Sequence, residues 1–133
     1  MARKIIDNPN MCALVHAMNI GGGKWKPILL YLLANGNLRF GKLLLFTPSI
    51  SKKVLTDQLR ELEEDGLIIR KRYAEVPPRV EYEVTEYGRS LEPIIRAMQD
   101  WGATFKERKY AEEGEDGHDD PDLVETPRKA AAG

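Results

Sequence analysis

The sequence is poor in the residues that build most catalytic and metal chemistry. It has one cysteine, Cys12, and two histidines among 133 residues. An internal disulfide is therefore excluded, and two histidines with one thiol do not make a structural zinc cluster. No apolar run approaches the ~18 residues that a membrane span requires. The opening residues, Met1-Ala2-Arg3-Lys4-Ile5-Ile6-Asp7, lack the apolar stretch of a signal peptide, so a cytoplasmic location is expected, with no membrane partner. No carboxylate pair, Ser/His/Asp order or Cys/His set supports catalysis, so neither an enzyme nor a cofactor is expected. Gly21-Gly22-Gly23-Lys24 is not a phosphate loop, because no Ser or Thr follows the lysine and no strand precedes it. His16 fits a packed or solvated helix position. His118, beside Asp116, Asp119 and Asp120, fits a solvated tail better than a cation site.

Net charge is also nearly absent, at −1, but that figure averages two unlike segments. Residues 111–133 hold eight acids against Arg128 and Lys129, a balance of −6, which leaves +5 for residues 1–110. Such asymmetry separates a basic body from an acidic tail. The tail has Gly114, Gly117, Pro121 and Pro127 and little to bury, so it reads as flexible. It suits a passive solubilising role, or a transient fold-back onto the basic surface. The expected organisation is a flexible stretch over residues 1–9, one domain over 10–108 and the acidic tail over 109–133. The composition, 42% hydrophobic and 31% charged, is too apolar for disorder throughout.

Within the body, Met11, Leu14, Val15 and Met18 have helical spacing over residues 11–19. A second helix is expected over 24–34, with Trp25 in the core and Pro27 in its first turn, ended by Asn35-Gly36-Asn37. Leu38-Arg39-Phe40 reads as a very short strand, and residues 40–46 as a short helix broken by Thr47-Pro48. Ser51 is a good N-cap for a helix over 51–65, whose buried stripe is Leu55, Leu59 and Leu62. Its other side carries Lys52, Lys53, Thr56 and Arg60. Basic residues lie in its first turns and acids in its last, against the helix dipole at both ends, which suits a helix that meets an anion. The same charges also suit a merely solvated face.

After Gly66 the period changes. Residues 67–73 and 80–84 read as two strands around a Pro77-Pro78 loop, with Arg70, Lys71, Arg72 and Arg79 on or near them. A last helix is expected from about residue 85, with Leu91, Ile94, Ile95, Met98, Trp101 and Phe105 on a broad stripe, and Pro93 kinking it or marking its effective start. The fold class is mainly α with a small antiparallel hairpin (α+β), in the order of a winged helix-turn-helix. That order makes double-stranded DNA the leading partner.

Several segments, among them Gly22-Gly23-Lys24-Trp25-Lys26, Arg39-Phe40, Leu59-Arg60-Glu61-Leu62-Glu63-Glu64-Asp65-Gly66-Leu67 and Val76-Pro77-Pro78-Arg79-Val80-Glu81-Tyr82, together closely resemble the HxlR-type transcriptional regulators. The resemblance covers roughly residues 10–105. It implies a prokaryotic homodimer that binds operator DNA as a regulator, here expected to repress. It further implies a dimer seam from the first and last helices, here Leu14, Met18, Leu91, Ile95, Met98 and Trp101, with the last-helix stripe serving as core and seam together. Expected DNA contacts are Ser51, Lys52, Lys53, Thr56 and Arg60 on the helix, and Lys71 and Arg79 on the wing. Arg70 and Arg72 alternate in direction with Lys71, so the three do not share one face.

Cys12 has two readings: a small buried hydrophobe, or a redox or electrophile sensor, as the resemblance implies. An oxidant or small-molecule effector belongs to the second. Three departures from the family pattern stand out: Cys12-Ala13 where Cys-Pro is usual, Lys52 where proline usually follows the serine, and apolar Leu44, Leu45 and Phe46 in place of polar residues. If residues 43–46 formed an exposed apolar surface, a protein–protein module would be the rival reading.

Overall fold

Six helices and one hairpin follow each other in the computed structural model, which describes residue 10 and residues 12–113. They are α1 (Ala13–Gly21), α2 (Trp25–Ala34), α3 (Phe40–Phe46), α4 (Lys52–Glu64), β1 (Ile68–Tyr73), β2 (Arg79–Val84), α5 (Glu86–Arg89) and α6 (Glu92–Glu113). The two strands pair antiparallel, Ile68 opposite Val84 and Tyr73 opposite Arg79. A single bridge from Leu38 to Tyr82 adds a minimal third strand, all that forms of the expected strand over residues 38–40.

The local causes are legible in the chain. Ser51 Oγ accepts from Val54 N–H at 3.1 Å and satisfies one of the orphan donors of α4. At the other end Gly66 has φ +76°, a conformation that costs glycine little. There Leu67 N–H bonds Leu62 C=O at 2.9 Å and Gly66 N–H bonds Glu63 C=O at 3.0 Å, the paired bonds of a Schellman motif. Leu62 and Leu67 are both buried, so the helix end is fixed by packing as well as hydrogen bonds.

One core gathers Leu29, Leu30, Leu32 and Leu33 of α2, Leu43 of α3, Leu55, Leu59 and Leu62 of α4, and Ile68 and Val84 of the hairpin. Each such side chain contributes ~1.5–3 kcal/mol relative to exposure. The 43–46 surface that the rival reading needs does not form: Leu43 is fully buried, Leu44 and Phe46 pack against the core, and Leu45 alone is 65% exposed. One exposed leucine is ordinary for a protein surface.

The last helix differs from a single run starting near residue 85. Thr85 caps a one-turn α5, its Oγ1 accepting from Gly88 N–H at 3.0 Å and donating to Gly66 C=O at 2.6 Å. This hydroxyl ties the end of the hairpin to the turn after α4. Pro93 then stands in the first turn of α6, where its missing N–H is harmless. α6 spans 22 residues, about 33 Å, and continues to Glu113. Residues 1–9 and 114–133, with His118 and its neighbouring acids, lie outside the described residues.

Order, hairpin and packing together make a winged helix-turn-helix, with α3 and α4 as the helical pair and β1–β2 as the wing. Gly88 is its tightest joint. A Cβ there would stand 2.1 Å from Leu67 O and 2.8 Å from Val84 Cγ1. Gly88→Ala should therefore cost about 2 kcal/mol or more in urea unfolding, as an overpacked site does. Unchanged stability would show that the wing root yields freely.

Candidate nucleic-acid interface

α4 divides into three longitudinal faces. At about 100° per residue, Leu55, Leu59 and Leu62 form the core stripe, Lys52, Lys53, Thr56 and Arg60 lie to one side, and Gln58 and Glu61 to the other. Ser51, Lys52, Lys53, Thr56 and Arg60 are all exposed. Thr56 Oγ1 donates back to Lys52 C=O at 2.8 Å, which leaves its lone pairs outward. Among the described residues Lys52, Lys53 and Arg60 have no carboxylate partner. Lys52, Lys53, Thr56 and Arg60 thus share one exposed, uncompensated positive face of α4, with Ser51 exposed at its N-terminal end.

α3 adds to this charge. Arg39, at its N-cap, and Lys42 are exposed and also lack a carboxylate partner among the described residues. In helix-turn-helix geometry the first helix crosses the DNA backbone, so these two are candidate phosphate contacts. Sequence reasoning passed them over. The available signal was their spacing around Leu43, which leaves both positions outside the core.

The wing behaves differently. Lys71 Nζ lies against Glu83 Oε2, and that carboxylate, by hydrogen bond and charge, raises the lysine above its ordinary range. Arg79 stacks on the Tyr73 ring, 4.2 Å from its centroid, between Glu75 at 3.3 Å and Glu81 at 3.6 Å. Both expected wing contacts are thus engaged by wing carboxylates. On the other face, Arg70 meets Tyr82, whose phenol is pushed up by burial and drawn partly back by Arg70. Arg72 shares that face, and both arginines are exposed with no carboxylate partner among the described residues. The strand alternation separated the faces correctly, but the choice between them needed the cross-strand partners.

On the remote side, α1 and α6 expose a set of large apolar side chains. Trp101 is 70% exposed and Leu14 67%, joined by Met18, Ile94, Met98 and Phe105. Trp101 and Phe105 stack with centroids 6.3 Å apart. Leu91 and Ile95 instead pack against the core, so the stripe divides between core and open face. Cys12 stands at the N-cap of α1 and is exposed, which corrects the buried-hydrophobe reading. Among the described residues no group of three or more His, Cys, Asp or Glu is placed to hold a metal ion, and no helix is long and apolar enough to cross a membrane.

Comparison with known proteins agrees with this architecture. The model of the HxlR-like helix-turn-helix family matches residues 20–110. The uncharacterized HTH-type transcriptional regulator YdeP of Bacillus subtilis is 52% identical over 97 residues, 73% of this chain and 76% of that protein. Among solved structures, the redox regulator HypR in its oxidized form is similar with a TM-score of 0.69 and 47% identity, covering 70% of this chain and 96% of that one. The reduced form of the transcriptional regulator YodB from B. subtilis follows at 0.62 and 32%, covering 71% and 94%.

The unequal pairing of the cations has a measurable consequence. Lys53→Ala with Arg60→Ala should flatten the slope of log affinity for duplex DNA against log salt by about two, or about one unit per phosphate contact. Arg79→Ala, whose charge is already countered, should change it by less than one. A double variant that binds as tightly as wild type, with the same slope, would remove α4 from the interface.

Proposed function

The chain belongs to the HxlR-like helix-turn-helix family of transcriptional regulators, and from that membership we propose that it works as a cytoplasmic homodimer that represses transcription from an inverted-repeat operator. The observation that carries this reading is the uncompensated positive face of α4, capped by Ser51 and seated on a leucine stripe. Lys52, Lys53, Thr56 and Arg60 approach a major groove, and Ser51 a phosphate. Lysine and arginine bond phosphates and guanine edges, while Thr56 suits either a base edge or a methyl group. Arg79 and Lys71 on one face of the wing, or Arg72 on the other, follow the adjacent backbone.

Dimerisation rests on the open apolar face. Leu14 and Met18 on α1, and Met98 and Trp101 on α6, are large apolar side chains left in water, as an interaction site leaves them. Leu91 and Ile95 support the seam from the core side. A two-fold axis through it carries two copies of α4 to successive grooves, with half-sites about 34–36 Å apart or a multiple of that.

The proposed effector is an oxidant or electrophile acting at Cys12. The thiol is exposed at the start of the seam helix, and similar structures include a redox regulator in its oxidized form. With one cysteine per chain, a disulfide needs two copies: two thiols lose their hydrogens to the oxidant and join.

Three measurements test these points. Selection of duplexes from a random pool with purified protein should return an inverted repeat, and a pool that stays random overturns the operator reading. Met98→Glu with Trp101→Glu should halve the mass in sedimentation equilibrium, whereas an unchanged mass places the dimer elsewhere. Cys12→Ser should abolish release from DNA by diamide, and persistence of that release would sink the sensor.

A further inference from the structure

Lys26 lies on the stripe of α2 that otherwise buries Leu29, Leu30 and Leu33, and it is itself only 5% exposed. Its Nζ stands 3.5 Å from Glu61 Oε1 on α4, a partner 35 residues away. Gln58 Nε2 donates to the other carboxylate oxygen of Glu61 at 3.3 Å. A buried ion pair rarely stabilises a fold better than well-packed apolar residues of similar volume, because both charges lose their hydration. A methionine or leucine at position 26 would continue the core, so stability alone does not account for the lysine.

We propose that Lys26 is a positioning residue for DNA recognition: its pair with Glu61 sets the rotation of α4 about its own axis. The proposal rests on the reading of α4 as the DNA-contacting helix. Gln58 and Glu61 lie on one flank of the leucine stripe, and Lys53, Thr56 and Arg60 on the other. The free energy of burying leucine is non-directional, whereas an ion pair with a hydrogen-bonded carboxylate is directional. A roll of about 20° would move a side chain at a radius of about 5–6 Å by about 2 Å. That displacement breaks a base-edge hydrogen bond yet leaves phosphate attraction largely intact. The Lys26–Glu61 pair therefore bears on specificity more than on raw affinity.

The test uses the full chain and the duplex recovered by selection from a random pool. Lys26→Met with Glu61→Leu replaces the pair by apolar residues. The double variant is expected to keep its thermal midpoint and its affinity and salt slope on random-sequence duplex, while operator affinity falls tenfold or more. Lys26→Arg, which retains the pair, should keep operator discrimination near wild type, and a purely structural role would not produce that split. If the double variant does not fold, Glu61→Gln gives the same comparison with little change of shape. Unchanged discrimination in the variant that folds overturns the proposal. Failure of the wild type to select any sequence instead overturns the operator reading and takes this proposal with it.

Discussion

The packing of α4's leucine stripe on α2 is the contact on which the rest of the structure depends. Leu55, Leu59 and Leu62 are essentially without solvent exposure, and they meet a helix whose Leu29, Leu32 and Leu33 are equally buried. A 13-residue helix that commits one stripe to that contact leaves two flanks for other work. One flank bears cations, and the other carries the carboxylate that accepts from Lys26. The turn after Gly66 and the hydroxyl of Thr85 then lock the hairpin to the same helix end. Core, wing and cationic surface are therefore one mechanical unit.

Electrostatics divides this unit in an instructive way. Lysines in the first turn of α4 oppose its dipole, at a cost of roughly 0.3–1 kcal/mol each at the surface. Nothing among the described residues offsets it for Lys52 and Lys53, so the helix is less stable than it would be with acids in that turn. An arriving phosphate removes the penalty, since the dipole and both ammonium groups then act together. The wing is built the other way. Lys71, Arg79 and their carboxylates keep it nearly neutral, so the hairpin contributes shape with little undirected attraction. The helical pair, by contrast, carries Arg39, Lys42, Lys52, Lys53 and Arg60 with no carboxylate partner among the described residues.

Where the sequence spoke clearly, the cause was local. Ser51, Gly66 and the 3.6-residue leucine period define α4 almost to the residue, and strict alternation defines β2. Phe40–Phe46 matches its expected bounds because Pro48 must end it. The features that were not legible are those whose cause is distant. Lys26 reads as one more surface lysine until Glu61, on another helix, is beside it. Lys71 reads as a free cation until the pairing of the strands brings Glu83 across, and Arg79 until it lies over Tyr73 between Glu75 and Glu81. Pro93 marked the start of α6, but the tie of Thr85 back to Gly66, which anchors the one-turn α5, is not one that periodicity reveals. For Cys12, an apolar helix pattern could not distinguish a cap position in solvent from a buried one.

α2 also connects the two ends of the molecule. It packs against both α4 and α6, so the helix that bears the exposed apolar stripe and the helix that bears the cations share one packing partner. Close-packed interiors transmit displacement instead of absorbing it. In the proposed dimer the spacing of the two recognition helices is then set by two contacts in series, α6 on α2 and α2 on α4. A shift of about 1 Å at the seam would be carried to each copy of α4, and two-fold symmetry would double it in the distance between them. Because half-site spacing tolerates little error, a change confined to the start of α1 need not touch DNA to alter its recognition. The constraint also works in reverse. Operator binding that fixes both copies of α4 must favour one arrangement of the seam, so anything that stabilises a different arrangement there lowers DNA affinity by the same free energy.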